Sequence, residues 1–173
     1  MPDQANSPIT HFAAPYVTPT RKVEPAWIDY NGHMNMAYYN LLFDNALDAL
    51  FNDLGIGWDY TKEGKFSCFI GEIHVTYAQE LKEGDPVRIE YQLLDWDEKR
   101  MHYFGKMYHA EKNYLAATSE QISLHVSLET RKTAPFPAHV QEKLESLMDR
   151  HKSLAVPAEV GRVIGIRRKK ESA

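Results

Sequence analysis

Between Met36 and Leu54 the chain carries apolar residues around more of a helical girth than one buried stripe requires. Met36, Tyr39, Phe43, Ala46, Leu47, Leu50 and Leu54 recur at the i, i+3, i+4, i+7 spacing of a single helix face. Leu41, Leu42 and Phe51 add apolar surface elsewhere on the same cylinder. A helix of this kind has to be covered on more than one side. Asn35 suits the N-cap, and Gly55 suits the position just past the last turn, so the predicted helix runs from 36 to 54.

The next hundred or so residues supply the cover, because the apolar period changes from helical to two. Ile73, Val75 and Tyr77 alternate with Glu72, His74 and Thr76. Val87, Ile89, Tyr91 and Leu93 alternate with Arg88, Glu90 and Gln92. Met101, Tyr103 and Met107 alternate with His102, Phe104, Lys106 and Tyr108, and Ile122, Leu124, Val126 and Leu128 close the series. Turns at Lys82 to Asp85, Asp95 to Lys99 and Glu111 to Asn113 are short enough to make these segments an antiparallel meander. Upstream, Tyr16 to Ile28 is predicted as a further strand, kept to an edge or bent by Pro19 and Pro25. The predicted fold class is therefore α+β, a curved antiparallel sheet of about five strands wrapped around one central helix.

A chain of 173 residues holds one such domain and not comfortably two. Residues 1–15 are polar and without period and are expected to be flexible. Residues 16–153 form the domain, closed by a short amphipathic helix through Val140, Leu144, Leu147 and His151 after Pro135 and Pro137 end the sheet. Residues 154–173 are a tail packing on or extending the domain, in which Arg162 to Ile166 could add a short strand.

The net charge of −4 argues against a general nucleic-acid binder, and the basic run Arg167 to Lys170 reads as a solvated end. No apolar run approaches the ~20 residues that span a bilayer. Cys68 is the single cysteine, so no internal disulfide can form. No secretory leader is visible either, and the expected compartment is the cytoplasm.

The common hydrolytic signatures are missing: no Gly-x-Ser-x-Gly, no His-Glu-x-x-His, and no Cys/His set with metal-ligand spacing. No metal or other cofactor is expected. Cys68, read as lying ahead of a strand with no histidine beside it, is expected to be a structural thiol. What remains is Asp29, Asn31, His33 and Asn35, immediately ahead of the central helix. The first turn of a helix offers unpaired N–H groups and a positive partial charge, which can hold the oxyanion formed when a thioester is attacked. Gly32 permits a tight turn. Asp29 can act as base or nucleophile, and His33 as a proton carrier or hydrogen-bond donor. The same residues also describe an ordinary polar turn and a cap, and spacing alone does not decide between the two.

This loop and the element order resemble the hotdog family of thioesterases. In the hydroxybenzoyl-CoA type an Asp stands three residues before a Gly, here Asp29 and Gly32, and the N–H at the position of Met36 binds the thioester oxygen. The plant acyl-carrier-protein type carries Asp-x-Asn-x-His-x-Asn, here Asp29, Asn31, His33 and Asn35. A narrower likeness runs through Asp29 to Met34, Gly71 to Val75, Asp97 to Arg100 with His102, Ala117 to Gln121, Leu124 to Val126 and Val160 to Ile166. These stretches resemble the thioesterases that accompany, or are fused to, carnitine dehydrogenase. The resemblance implies hydrolysis of betainyl-CoA to betaine and CoA, with CoA part of the substrate, and a homodimer or higher homo-oligomer whose sites lie between subunits. Thioesterases for fatty or aromatic acyl-CoA and non-catalytic acyl-CoA binders of the same fold are the rival readings.

A quaternary ammonium is held by aromatic faces and a nearby carboxylate. Trp27, Tyr38, Tyr39, Phe66, Phe69 and Trp96 are the candidate aromatics and Glu72 the candidate carboxylate, although core packing accounts for most such aromatics. Lys99, Arg100 and Lys106 are candidates for the CoA phosphates.

Overall fold

The structure, a computed structural model, describes residues 12–166. The central helix, α1, spans Met36–Leu54. The Asn35 side chain accepts from the Ala37 N–H at 2.9 Å, and Gly55 ends the helix in the left-handed conformation, φ 83°. Both bounds are those the sequence predicts. The helix buries Tyr39, Leu42, Phe43, Ala46, Leu47, Leu50, Phe51 and Leu54. Each fully buried Leu or Phe of that face contributes about 1.5–3 kcal/mol.

The cover is one antiparallel sheet. Its long strands are β3 (Phe66–Tyr77), β4 (Pro86–Trp96), β5 (Arg100–His109) and β6 (Leu115–Ser127). Two short strands, β1 (Tyr16–Val17) and β2 (Arg21–Lys22), both pair with β4, and the order across the sheet is β1-β4-β5-β6-β3. β3 is therefore an edge, paired on one side only, with β6. The helix packs tightly on the sheet at Gly105. A Cβ there would lie 2.6 Å from the Tyr91 ring and 3.1 Å from that of Phe43, so only glycine fits without displacement. The Tyr91 hydroxyl donates to the Phe43 carbonyl at 2.7 Å, tying the sheet to the helix backbone at the same level.

The C-terminal helix, α3 (Ala138–His151), packs against β4 through Val140, Leu144 and Leu147, all fully buried. β4 shifts register between Leu93 and Asp95. His151 accepts the Leu93 N–H at Nδ1, 2.9 Å, and donates from Nε2 to the Ala13 carbonyl, 2.9 Å. The ring is thus buried, neutral and fully used.

Several sequence expectations are corrected. Tyr16 to Ile28 is not one strand. Proline lacks the N–H a ladder needs, and the segment divides into β1, β2 and a 3-10 turn over Pro25–Trp27, with Pro25 in its first turn. Residues read as loop after Gly55 include a short helix, α2 (Trp58–Lys62). Arg162 to Ile166 forms no strand and lies exposed. Cys68 lies inside β3, not ahead of it, and its cross-strand partner is His125. Burial pushes the Cys68 thiol up to about 12, which keeps it protonated and inert. Near the N-terminus, Phe12 is buried in the core and Ala13 is bonded by His151; residues 1–11 and 167–173 lie outside the described residues.

Candidate active site

The residues ahead of α1 fold into a small closed hairpin. Ile28 and Met34 form an antiparallel bridge. Across it the Asp29 N–H donates to the His33 carbonyl, and the Gly32 N–H donates back to the Asp29 carbonyl, both at 3.0 Å. This is a four-residue turn, Asp29 to Gly32, whose last residue is left-handed, and Gly32 supplies it with φ 78°. The Asp29 carboxylate takes part locally, since its Oδ1 accepts the Asn31 N–H at 2.8 Å. The hairpin is then fastened to the domain. The Met34 N–H donates to the Leu81 carbonyl at 2.7 Å, the Asn35 N–H to the Trp27 carbonyl at 2.9 Å, and the Met34 side chain is buried.

Asp29 is thereby held a few residues from the N-terminus of α1 on a backbone closed by hydrogen bonds. Asn35 caps Ala37, and the Asn35 carbonyl accepts from Tyr38. No acceptor among the described residues takes the N–H of Met36, and Met36 is 65 % exposed. An unpaired N–H at the positive end of a helix can polarise a carbonyl oxygen and stabilise the oxyanion that develops there. Among the described residues, no hydrogen bond engages the second carboxylate oxygen of Asp29. That oxygen is free to take a proton from water or to attack.

A cavity of about 210 Å³ opens beside this helix end, lined by His33, Met36, Tyr39, Tyr77, Gln79 and Glu80 among others. Tyr39 and Tyr77 meet edge to face, with centroids 5.3 Å apart and planes at 83°. The Tyr77 hydroxyl donates to the Met36 carbonyl at 3.4 Å, and burial pushes the phenol up so that it keeps its proton. The Tyr39 hydroxyl accepts the Leu81 N–H at 3.0 Å. The His33 ring nitrogen Nδ1 lies 3.3 Å from the Met34 carbonyl, and Asn31 meets Asp29 through its backbone rather than its side chain. Tyr38 stacks on Trp27, with centroids 5.5 Å apart and planes at 17°.

The remaining candidates are elsewhere. Glu72, Trp96 and Arg100 border a larger cleft of about 570 Å³ with His74, His102 and Glu120. After the bulge between Ile70 and Glu72, Tyr77 points to the α1 side of β3, where it meets Tyr39, so Glu72 and His74 point away from the helix. Tyr77 is five residue steps along the strand from Glu72, roughly 17 Å at the usual rise. In this cleft two of the charged groups are already engaged, while Glu72 and Arg162 have no ion partner among the described residues. The Arg100 guanidinium holds the Asp97 carboxyl below its usual range, and Glu120 bonds both His102 at 2.9 Å and the Gly161 N–H at 2.8 Å. Lys99 pairs with Glu98, and Lys106 lines a separate small pocket beside Phe104. No group of three or more potential metal ligands occurs among the described residues.

Sequence reasoning placed Tyr77 among core-facing strand residues and left Gln79 and Glu80 unassigned. Their nearness to Met36 follows from Leu81 bonding Met34, a contact between distant segments that carries no local signature.

The sequence model of the thioesterase-like superfamily matches residues 23–144. A betainyl-CoA thioesterase of Pseudomonas aeruginosa is 41% identical over 151 residues, 87% of this chain and 93% of that protein. A fused L-carnitine dehydrogenase/betainyl-CoA thioesterase of Rhizobium meliloti is 38% identical over 147 residues, 85% of this chain but 29% of the longer protein. Among solved structures, a Staphylococcus aureus protein in complex with CoA superposes with a TM-score of 0.84 at 25% identity, covering 94% of this chain and all of the other.

Proposed function

The chain belongs to the thioesterase-like superfamily, and from that premise we propose that it hydrolyses betainyl-CoA to betaine and CoA. The observation that carries this is the 41% identity, across nearly the full length of both proteins, with an enzyme named for that activity. The geometry supports a route. The thioester carbonyl docks against the N–H of Met36, the group left without an acceptor at the head of α1. Asp29 then takes one of two roles. As a base it removes a proton from water, whose oxygen attacks the carbonyl carbon; the C–S bond breaks, and the CoA thiolate leaves and takes up a proton. As a nucleophile its carboxylate attacks the same carbon and expels the thiolate, leaving an anhydride that water cleaves. His33, beside the cavity, is suited to carry the proton, and the Asn31 N–H keeps the carboxylate turned. Asn35 holds the helix end in place, and Tyr38 covers Trp27 beneath it.

We assign the working unit to a homodimer or higher homo-oligomer joined through β3. That strand has one unpaired side, and Phe69, Ile70 and Ile73 stand exposed along it. A long apolar edge of this kind is normally covered. Glu72 and Arg100 border the outer cleft and Lys99 pairs with Glu98, so they contribute to the site only if a second copy brings them to it. A cytoplasmic location is consistent with the lone, inert thiol of Cys68. Among the described residues no helix is long and apolar enough to cross a membrane.

The test is thiol release from betainyl-CoA against acetyl-, butyryl- and benzoyl-CoA, with betainyl-CoA expected to give the highest kcat/KM. A preference for benzoyl-CoA would overturn the substrate assignment, and CoA binding without thiol release would overturn the enzymatic one. A single turnover in ¹⁸O-water separates the two roles of Asp29. A base delivers the label to the first betaine formed. A nucleophile whose anhydride is opened at the aspartyl carbonyl leaves the label in Asp29.

A further inference from the structure

The substrate assigned above imposes a steric condition that the structure can answer. In a betainyl thioester one methylene joins the carbonyl carbon to the quaternary nitrogen, which sets the two atoms roughly 2.5 Å apart. The residues that read the positive charge must therefore border the site where the carbonyl sits. A quaternary ammonium has no N–H to donate, so hydrogen bonds cannot select it. Aromatic faces and a carboxylate can.

Phe66 stacks against Tyr60 and His125, and Phe69 lies under the Arg131 guanidinium, so neither ring face is free. Trp27 and Tyr38 border the hairpin, but they stack face to face on each other and Trp27 is buried. Trp96 and Glu72 border the outer cleft, and Glu72 points away from α1. The cavity beside Met36 is different. Tyr39 and Tyr77 set two ring planes at right angles in its wall, Tyr77 is 47 % exposed, and Glu80 lines the same space. Glu80 has a lysine partner, Lys82, at 3.3 Å, but both side chains are more than half exposed, and a solvated pair of this kind is weak. The carboxylate can turn to a desolvated cation at little cost. Tyr39 is fixed by the Leu81 N–H on its hydroxyl, and Tyr77 by its reach to the Met36 carbonyl. Both rings are thus held relative to the backbone that receives the substrate's oxygen.

We propose that the Tyr77 ring and the Glu80 carboxylate, braced by Tyr39, form the subsite for the quaternary ammonium of the substrate. This rests on the betainyl-CoA reading and adds the residues that give it selectivity for charge. The subsite discriminates trimethylammonium from a neutral group of the same shape, and it contributes little to the hydrolytic step itself.

The experiment compares betainyl-CoA with 3,3-dimethylbutyryl-CoA, in which carbon replaces the charged nitrogen, by thiol release. The unsubstituted protein is expected to favour the charged substrate in kcat/KM. Tyr77→Leu should lower that preference about tenfold, chiefly through KM, while the neutral substrate changes less than about threefold. Tyr77→Phe, which keeps the ring face, should retain the preference. Glu80→Gln should lower it by a smaller factor. Parallel loss on both substrates in Tyr77→Leu, or an unchanged ratio, would overturn the subsite while leaving betainyl-CoA hydrolysis intact. Failure of the unsubstituted protein to hydrolyse betainyl-CoA would instead overturn the substrate reading on which the subsite stands.

Discussion

Two of the concave regions of this molecule, the outer cleft and the cavity at the head of α1, differ in the polar groups they present. The outer cleft is the larger and holds the greater number of charges, yet Arg100 is bound to Asp97, and Glu120 is bound to both His102 and the Gly161 backbone. The cavity at the head of α1 is smaller and poor in charge. It borders a backbone N–H with no acceptor; Asp29, in the hairpin ahead of the helix and not among the residues lining the cavity, has a carboxylate oxygen to spare. Chemistry needs groups not already spent on each other. Size and charge count single out the first region, where Glu72 and Arg162 also keep no ion partner among the described residues; an unpaired N–H at the positive end of a helix singles out the second.

The comparison is broken most directly at Asp29. Asp29→Asn keeps the side-chain oxygen that accepts the Asn31 N–H, so the hairpin should stay closed, while kcat for thiol release should fall by about 10²–10⁴-fold. Near-normal turnover with an unchanged melting temperature would remove Asp29 from the chemistry. A smaller effect is expected at Asn35. Asn35→Ala takes away the acceptor of the Ala37 N–H and should cost about 1 kcal/mol, a fall in Tm of roughly 2–4 °C by calorimetry. Turnover should drop with it, because the helix end that receives the carbonyl frays.

A third expectation separates stability from activity. His151 and His125 are buried, and desolvation pushes both imidazoles below the ordinary value of 6.5. His125 accepts from the Tyr60 hydroxyl and donates to the Ala134 carbonyl, both at 2.8 Å, so it is held neutral. Unfolded, these rings bind protons from about pH 6.5 downward; folded, they bind them only at lower pH. Their contribution is complete above pH 6.5 and is lost as the pH falls from there through the folded values. Denaturant midpoints measured between pH 7.5 and 5 should decline below 6.5, whereas a flat profile would refute the assignment. The smallest effect is expected in the outer cleft. Glu120→Ala should free the Gly161 segment, seen as faster proteolysis at Arg162, with thiol release changing by less than about twofold. A loss of turnover comparable to that of Asp29→Asn would place the outer cleft in the chemistry through a second copy.

How much of this could be read from the chain depends on the range of the interaction. Helix α1 was legible to the residue because Asn35 and Gly55 act on their own neighbours. The long strands were legible because alternation is local, although their starts were read late where β3 begins at Phe66 and β6 at Leu115. The Tyr16 to Ile28 segment misled because its β propensity is interrupted by two prolines whose effect depends on what lies alongside, namely β4. At the site, the Asp29 hairpin was visible as a motif, but the Tyr77 wall and Glu80 were not. They arrive there through the pairing of Leu81 with Met34, and nothing in either segment names the other.

The hairpin has a consequence for how such a protein can change. Its geometry is fixed by backbone bonds, by Gly32 and by the buried Met34, and not by the residue at its tip. Tyr30 is 97 % exposed and bonds to nothing in the turn. Position 30 can therefore drift through many side chains without shifting Asp29. A lineage is free to retune what approaches the helix from solvent, including a larger acyl group or a different carrier, while the Asp29 carboxylate keeps its place.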